Sequence, residues 1–541
     1  MNPKLTLLTL CALSVSALNV FAQNLIVTSD TTVSGTHYEN NGDAYAAITN
    51  IDTSWTFTGS DITVTATGGN NTVGAWGVNI YSDYYPILNL TDSTIKANSI
   101  GIFFEGGDAT LNNVNITAGR DGLHTSYTYN LMMTGGTINS TDGNGAGIFH
   151  EYHSSGTLNN VNITAKGFGI YVYSDSSLTV IGSTITAAND GLSIDYNSDA
   201  TLNNVTVTAE NTGIMMYSSS LTMTGGTITA ANEGLSLDDY SDATLTNVTV
   251  TATGNNGSGV LLQGNSTLTL TDSVIHATGS DAHGISAYST HYYNPTNTTT
   301  LNHSTVTDGI SVDARFGEDT NLTLTASNGS LISGGVTVST PIDDYVVATL
   351  DFTLIDSALS GGLTATGSSH VTVTASDGGT ITGEVISAQN AVVQITLTNA
   401  GTALRGNLIQ DNNSAITLTV GADALLAGGG TVSNLIMDTG AILGYTDELT
   451  VTTSITIGDN IIIDFSNLTG TGDYTVLDWS GATGGESISD DQFTIAGDGV
   501  EGTFNVDNGK LVFNATAVPE PSIWFLIGLG LGALALIRRR I

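Results

Sequence analysis

Across 541 residues, 10 Lys+Arg stand against 49 Asp+Glu, a formal net charge of −39. Such a surface repels nucleic acid phosphates, anionic lipid headgroups and acidic polysaccharides, so no nucleic-acid partner is expected. Only 11% of residues are charged while 40% are hydrophobic, which excludes a disordered acidic tail and leaves Thr, Ser, Asn and Gly to carry the polar surface.

The first residues read as an export leader. Lys4 supplies a positive start, an apolar run from Leu5 to Val20 carries no acid, and Ala22 puts a small residue at the expected cleavage point. Residues 1–22 are therefore expected to be a signal peptide for the Sec pathway. Cys11, the only cysteine, lies within it, so the mature chain has no disulfide to lean on. Residues 23–54 fit the following pattern poorly. They are expected to form an N-terminal cap, since an open solenoid end exposes unpaired strand edges.

Internal repetition dominates residues 55–390. Thr110–Ala118, Thr157–Ala165, Thr201–Ala209 and Thr244–Ala252 all read Thr-Leu-x-Asn-Val-x-aliphatic-Thr-Ala. A second unit, Thr184–Leu192 and Thr227–Leu235, is interleaved with it. Three aliphatic ladders run through both. The first takes Ile95, Ile116, Ile138 and Ile163 and continues to Ile275. The second follows a glycine, from Ile102 and Leu123 to Ile310. The third takes Leu88, Leu111, Leu131 and Leu158 and continues to Leu268. Steps of about 22 residues with three short period-2 segments predict triangular rungs, each completing its neighbour's core. The expected fold is all-β: a right-handed parallel β-helix of about twenty rungs spaced ~4.8 Å, some 100 Å in all. The glycine before each second-ladder residue is expected to turn a corner at positive φ. Insertions at Tyr81–Pro86 and Ala287–Thr298 lengthen single corners.

Residues 391–516 become more aliphatic and less regular, as in Val392–Leu397 and Ile461–Phe465. Gly472–Ser480 looks like the terminal rungs of autotransporter-type passengers, and the whole ectodomain is similar to such passengers, including adhesins. That resemblance implies an adhesive surface rod. No membrane β-barrel follows Asn514, so the self-translocating route is not expected.

The tail is expected at residues 517–541. Ile523 to Ile537, which includes Trp524, is uninterruptedly apolar, and Arg538, Arg539 and Arg540 follow at once. As a single transmembrane helix it would keep its arginines cytoplasmic and place all that precedes it outside. Val518-Pro519-Glu520-Pro521-Ser522, then the apolar run, then the arginines, resembles the PEP-CTERM sorting signal of Gram-negative bacteria. The resemblance implies export, a transient inner-membrane anchor, and processing by an exosortase, a membrane protease. Pro519, Glu520 and Pro521 would be the recognition residues.

Chemistry is sparse between the two ends. Six bases remain outside the leader and the tail: Lys96, Arg120, Lys166, Arg315, Arg405 and Lys510. A lyase for acidic sugars, which needs a basic catalyst, is therefore hard to build. Arg120, Asp121 and His124 are the best local cluster. Asp238–Asp239 offers a carboxylate pair for inverting hydrolysis, but neighbours on one strand face opposite ways. His150 and His153 have the wrong spacing for a zinc helix. His276, His283, His291 and His303 lie close in sequence without a metal pattern, and no metal is expected. Corner acids Asp108, Asp199 and Asp242 leave loose calcium binding open; no cofactor is expected. The Asn-x-Ser/Thr triplets at Asn115, Asn162, Asn204 and Asn247 fall on repeat positions.

The expected role is thus structural or adhesive, not enzymatic, with an extracellular polysaccharide or another cell as the far partner. Tyr288, Tyr292 and Tyr293 are the candidate glycan contact, with Tyr81, Tyr84 and Tyr85 as a second patch. The alternative is a glycan-active β-helix enzyme, a lyase or hydrolase. A minor alternative is an ice-binding lattice of the outward pairs around the first ladder, such as Thr184 and Thr186.

Overall fold

In the computed structural model, the described residues are 21–23, 25–27, 29–40, 46–51, 55–66, 76–81, 85–289, 295–314, 318–341 and 346–518. Residues 1–20 of the expected leader and 519–541 of the expected tail lie outside them. The fold is an all-β right-handed parallel solenoid of about 18 turns. It divides into two compact units: Met1–Thr300 with Ser304–Asp308, and Leu301–His303 with Gly309–Ile541.

In the first unit the rungs stack in parallel register. The first ladder holds throughout: Ile95, Ile116, Ile138, Ile163, Ile185, Val207, Ile228, Val250 and Ile275 pair in turn and are fully buried. The second ladder also pairs in sequence from Ile102 to Ile285.

The third ladder needs correction, because it mixes two inward columns. One column is Leu88, Ala109, Leu131, Gly156, Leu178, Ala200, Leu221, Ala243 and Leu268, alternating large with small. The other is Leu90, Leu111, Met133, Leu158, Val180, Leu202, Met223, Leu245 and Leu270, large throughout. The interleaved sequence units are thus two kinds of rung, whose side chains interdigitate by size.

Gly309, before Ile310, turns at φ +74 as expected, but the earlier glycines of the second ladder act differently. Gly101, Gly122, Gly147, Gly169 and Gly191 are not at positive φ. Each lies so close to its neighbours that a Cβ would sit 2.2–2.4 Å from the Cγ of a first-ladder residue and 2.3–2.6 Å from the next glycine's carbonyl oxygen. They are required for space.

Positive φ falls at another corner. There Asp92, Asn113, Gly135, Asn160, Gly182, Asn204, Gly225, Asn247 and Asp272 take φ from +49 to +66. Asn, Asp and Gly tolerate this region best, which explains why Asn-Val alternates with Gly-Gly and Gly-Ser in the repeat. Buried serines complete the corners. Ser183 Oγ accepts the Val161 amide at 3.0 Å and Ser273 Oγ accepts the Val248 amide at 3.1 Å. Amides turned out of the strand ladder are thereby satisfied.

The second unit continues with parallel rungs. Leu324, Phe352, Val373, Ile395, Leu418, Leu435 and Ile455 form one buried column. Its last strands turn antiparallel: Lys510–Ala517 pairs with both Gly472–Asp478 and Glu501–Asp507. Phe465 and Phe513 stack at 4.1 Å beneath this closing sheet, and Phe504 packs on Phe513 at 5.2 Å. A single 3-10 turn, Asp490–Gln492, is the one helical element among the described residues. No helix there is long and apolar enough to cross a membrane; the expected span at Ile523–Ile537 lies outside them.

Candidate aromatic face

The strands that begin at the second ladder point alternate side chains outward. In the first unit these outward positions carry rings on successive rungs. One run is Trp76, Phe103, His124, Phe149 and Tyr171, with centroids 4.7–5.1 Å apart. The second lies at the adjoining corner: Tyr127, Tyr152, Tyr173, Tyr196 and Tyr217, with centroids 5.1–5.9 Å apart. Tyr171 and Tyr173, 5.7 Å apart, join the two. Tyr127, Tyr152 and Tyr196 are 48%, 38% and 52% exposed. Parallel register sets Phe103, His124, Phe149 and Tyr171 one above another, whereas the second run alternates between two neighbouring corner positions, Tyr173 and Tyr217 pairing in register with Asp195 between them.

Acids flank the rings. The Tyr171 hydroxyl donates to Asp195 and the Tyr217 hydroxyl to Asp239. Burial first, then the Asp195 carboxylate, holds the Tyr171 phenol well above its ordinary range. The hydrogen bond to Asp239 pushes Tyr217 up to about 12. Asp195 itself is raised, chiefly because it is partly buried.

The cluster suggested by sequence does assemble at the start of this face, and a fourth residue joins it. Asp121, 3% exposed, accepts the Ala146 amide of the next rung at 3.0 Å. Arg120 Nε lies 3.5 Å from its carboxylate. His124 Nδ1 is 3.4 Å from Asp121 Oδ2, and His124 Nε2 is 3.0 Å from Glu151 Oε1. Burial disfavours the imidazolium, but the two carboxylates outweigh it and the His124 pKa is raised. Behind this cluster His150 is wholly buried, bonded through Nδ1 to Thr125 Oγ1 at 2.6 Å and through Nε2 to the Ser177 carbonyl at 3.2 Å. Burial lowers its pKa to about 4.

The other candidates do not converge. Asp238 Oδ1 accepts the Asp239 amide, and Asp239 turns the corner at φ +43 to receive Tyr217, so each carboxylate has its own partner. His276 pairs with Thr307, its Nδ1 2.6 Å from the Thr307 hydroxyl. His153 is exposed while His150 is buried. Asp199 and Asp242 lie two rungs apart with Ser220 between them. Among the described residues no three His, Cys, Asp or Glu are grouped to hold a metal ion. Tyr288 is half-buried; His291, Tyr292, Tyr293 and Arg315 lie outside the described residues, as does Tyr84. An open depression in the second unit is lined by Ile442, Ile462, Asp464, Ser466, Gly497 and Asp498, and Asp464 Oδ1 accepts the Ser466 amide at 2.9 Å.

Comparison with known families gives two matches. Residues 168–334 match the right-handed beta helix region, and residues 517–540 match the PEP-CTERM protein-sorting motif. No curated protein matches the chain. The chain therefore joins a right-handed β-helix to a C-terminal PEP-CTERM motif, which implies an exported protein sorted by an exosortase to the cell surface or extracellular space.

Proposed function

We propose that the protein is a structural or adhesive surface protein that holds a neutral glycan along the tyrosine run of its first unit. The observation that carries this reading is the unbroken series of rings from Tyr127 to Tyr217, several of them exposed. Sugar C–H faces pack on aromatic rings, which cost little entropy to order, and flanking carboxylates accept sugar hydroxyls. The net charge of −39 favours neutral over acidic polymers. Tyr288, Tyr292 and Tyr293 would add a second contact. In this reading the Sec pathway exports the chain and the segment Ile523–Ile537 anchors it transiently, with Arg538–Arg540 held cytoplasmic. The exosortase then reads Pro519, Glu520 and Pro521.

The test is retention of the purified protein on insoluble cellulose and chitin, with alginate as the acidic counterpart. Retention on a neutral polymer, reduced at least tenfold by the combined changes Tyr152→Ala, Tyr173→Ala and Tyr196→Ala, supports the reading. Retention on alginate alone, or binding indifferent to these changes, removes it.

A glycan-cleaving alternative turns on Asp195, a partly buried carboxylate beside these rings that accepts the Ser193 hydroxyl at 3.3 Å. Release of reducing ends in the same incubations, lost in Asp195→Asn, would replace the adhesive reading with a hydrolase.

A further inference from the structure

Two backbone irregularities of the first unit meet outside the tyrosine run. Tyr85 closes a corner insertion at φ +55, a conformation that a bulky aromatic residue takes only under constraint. Tyr129 lies at a shift in register. Gly107 faces Thr128 and Asp108 faces Asn130, so Tyr129 is the extra residue of a β-bulge. Bulges re-aim side chains, and this one turns its ring outward. Tyr85 and Tyr129 are 64% and 59% exposed, with ring centroids 5.1 Å apart and planes 38° apart. The Tyr85 hydroxyl beside it raises the Tyr129 pKa.

The pair is built differently from its neighbours. Tyr127 and Tyr152 lie face over face at 13°, and the Tyr217 hydroxyl is committed to Asp239. Tyr85 and Tyr129 instead overlap as tilted rings, 5.1 Å between centroids, with each hydroxyl end beside the other. Hydroxyl-to-hydroxyl contact brings together the Cε atoms, the ring carbons ortho to oxygen where a phenoxyl radical carries its spin. Neither residue is fixed by the regular ladder: one is in an insertion, the other in a bulge. Both rings are therefore free to close the remaining gap without breaking a rung.

We propose that Tyr85 and Tyr129 form a site of oxidative cross-linking, in which a peroxide acting through a haem peroxidase joins one Cε of each ring as dityrosine. Each phenol loses one electron and one proton. The two radicals couple through a new Cε–Cε bond, and the hydrogen on each joined carbon returns to its own oxygen as the ring regains aromaticity. The two electrons and two protons reduce one hydrogen peroxide to two waters. The product ties the corner before strand Ile87–Thr91 to strand Leu123–Ser140, across the rung between them. An exported chain whose only cysteine is Cys11 would gain by it the covalent staple that disulfides otherwise supply.

The experiment treats the full chain, in detergent, with hydrogen peroxide and horseradish peroxidase. The expected result is dityrosine fluorescence in the monomer and one dominant cross-linked peptide pair, Tyr85 with Tyr129, two hydrogens lighter than the separate peptides. Tyr85→Phe and Tyr129→Phe should each lower its yield at least tenfold with unchanged circular dichroism, while Tyr217→Phe leaves it intact. No dityrosine, cross-links spread along the Tyr127–Tyr217 run, cross-links only between chains, or a signal that survives Tyr129→Phe would each overturn the proposal.

Discussion

His124 and His150 lie on adjacent rungs, and their surroundings drive them in opposite directions. His150 is wholly buried against Thr125 and the Ser177 carbonyl and is held neutral; burial lowers its pKa from the ordinary 6.5 to about 4. Between those values the unfolded chain binds a proton that the folded chain refuses, so stability falls as pH falls, by up to about 3 kcal/mol for this group. His124 faces Asp121 and Glu151, with Phe103 and Phe149 against its ring. Its pKa is raised, so its contribution is fully present below 6.5 and is lost as pH rises through the folded value. His124→Gln should therefore cost more stability at pH 6 than at pH 9. His150→Gln should flatten the acid limb between pH 6.5 and 4. Urea midpoints of both variants against wild type across that range measure each effect, and equal costs for His124→Gln at pH 6 and pH 9 would refute the first. The sequence makes Asp121 and His124 visible because they are three residues apart. Glu151 joins them only through rung register. The tyrosines of the aromatic face each stand about one rung length from the next, a signal present in the sequence. It is overshadowed in the sequence by denser groups such as Tyr81–Tyr85 and Tyr288–Tyr293, which draw the eye because their tyrosines are close along the chain.

The rung is the element of this protein, and its glycines set how tightly rungs close. A Cβ at Gly169 would meet the Gly191 carbonyl oxygen at 2.3 Å and Ile185 Cγ2 at 2.4 Å. Gly143, in a loop, has nothing nearer than 3.9 Å. Gly169→Ala is expected to cost about 1–3 kcal/mol or more, as overpacking does, while Gly143→Ala stays within about 0.5 kcal/mol. Comparing urea midpoints of the two variants decides it, and similar losses would mean that backbone entropy, not space, sets the glycine requirement. The first and second ladders are legible in the sequence because each rung offers one invariant aliphatic position beside a fixed polar triplet or glycine. The third is not, because two inward positions stand two residues apart on the same face. A slip of two keeps every side chain on its face, so hydrophobic pattern alone cannot choose between the columns. What distinguishes them is size, with Leu178 between Gly156 and Ala200 in one column and uniformly large residues in the other.

At the scale of the whole molecule, the C-terminal motif governs where the protein ends up. A chain with 49 acids against 10 Lys and Arg repels anionic surfaces, so in the proposed route its attachment comes from the tail or from a neutral glycan. The match at 517–540 implies that an exosortase acts there. In the proposed route the apolar segment Ile523–Ile537 holds the chain in the inner membrane only until cleavage, because three arginines on its far side stop it from following the ectodomain outward. Changing Pro519, Glu520 and Pro521 together to Ala removes the recognition residues but leaves the anchor. The variant should remain in the inner-membrane fraction at full length, while the wild-type protein loses its arginine cluster and leaves that fraction. Intact mass and membrane fractionation of the two report the outcome directly. Wild-type protein found outside the cell with Arg538–Arg540 still attached would show that the segment is carried rather than cut. Wild-type and variant proteins retained alike at full length would mean a permanent single-span anchor, with the solenoid tethered to the membrane.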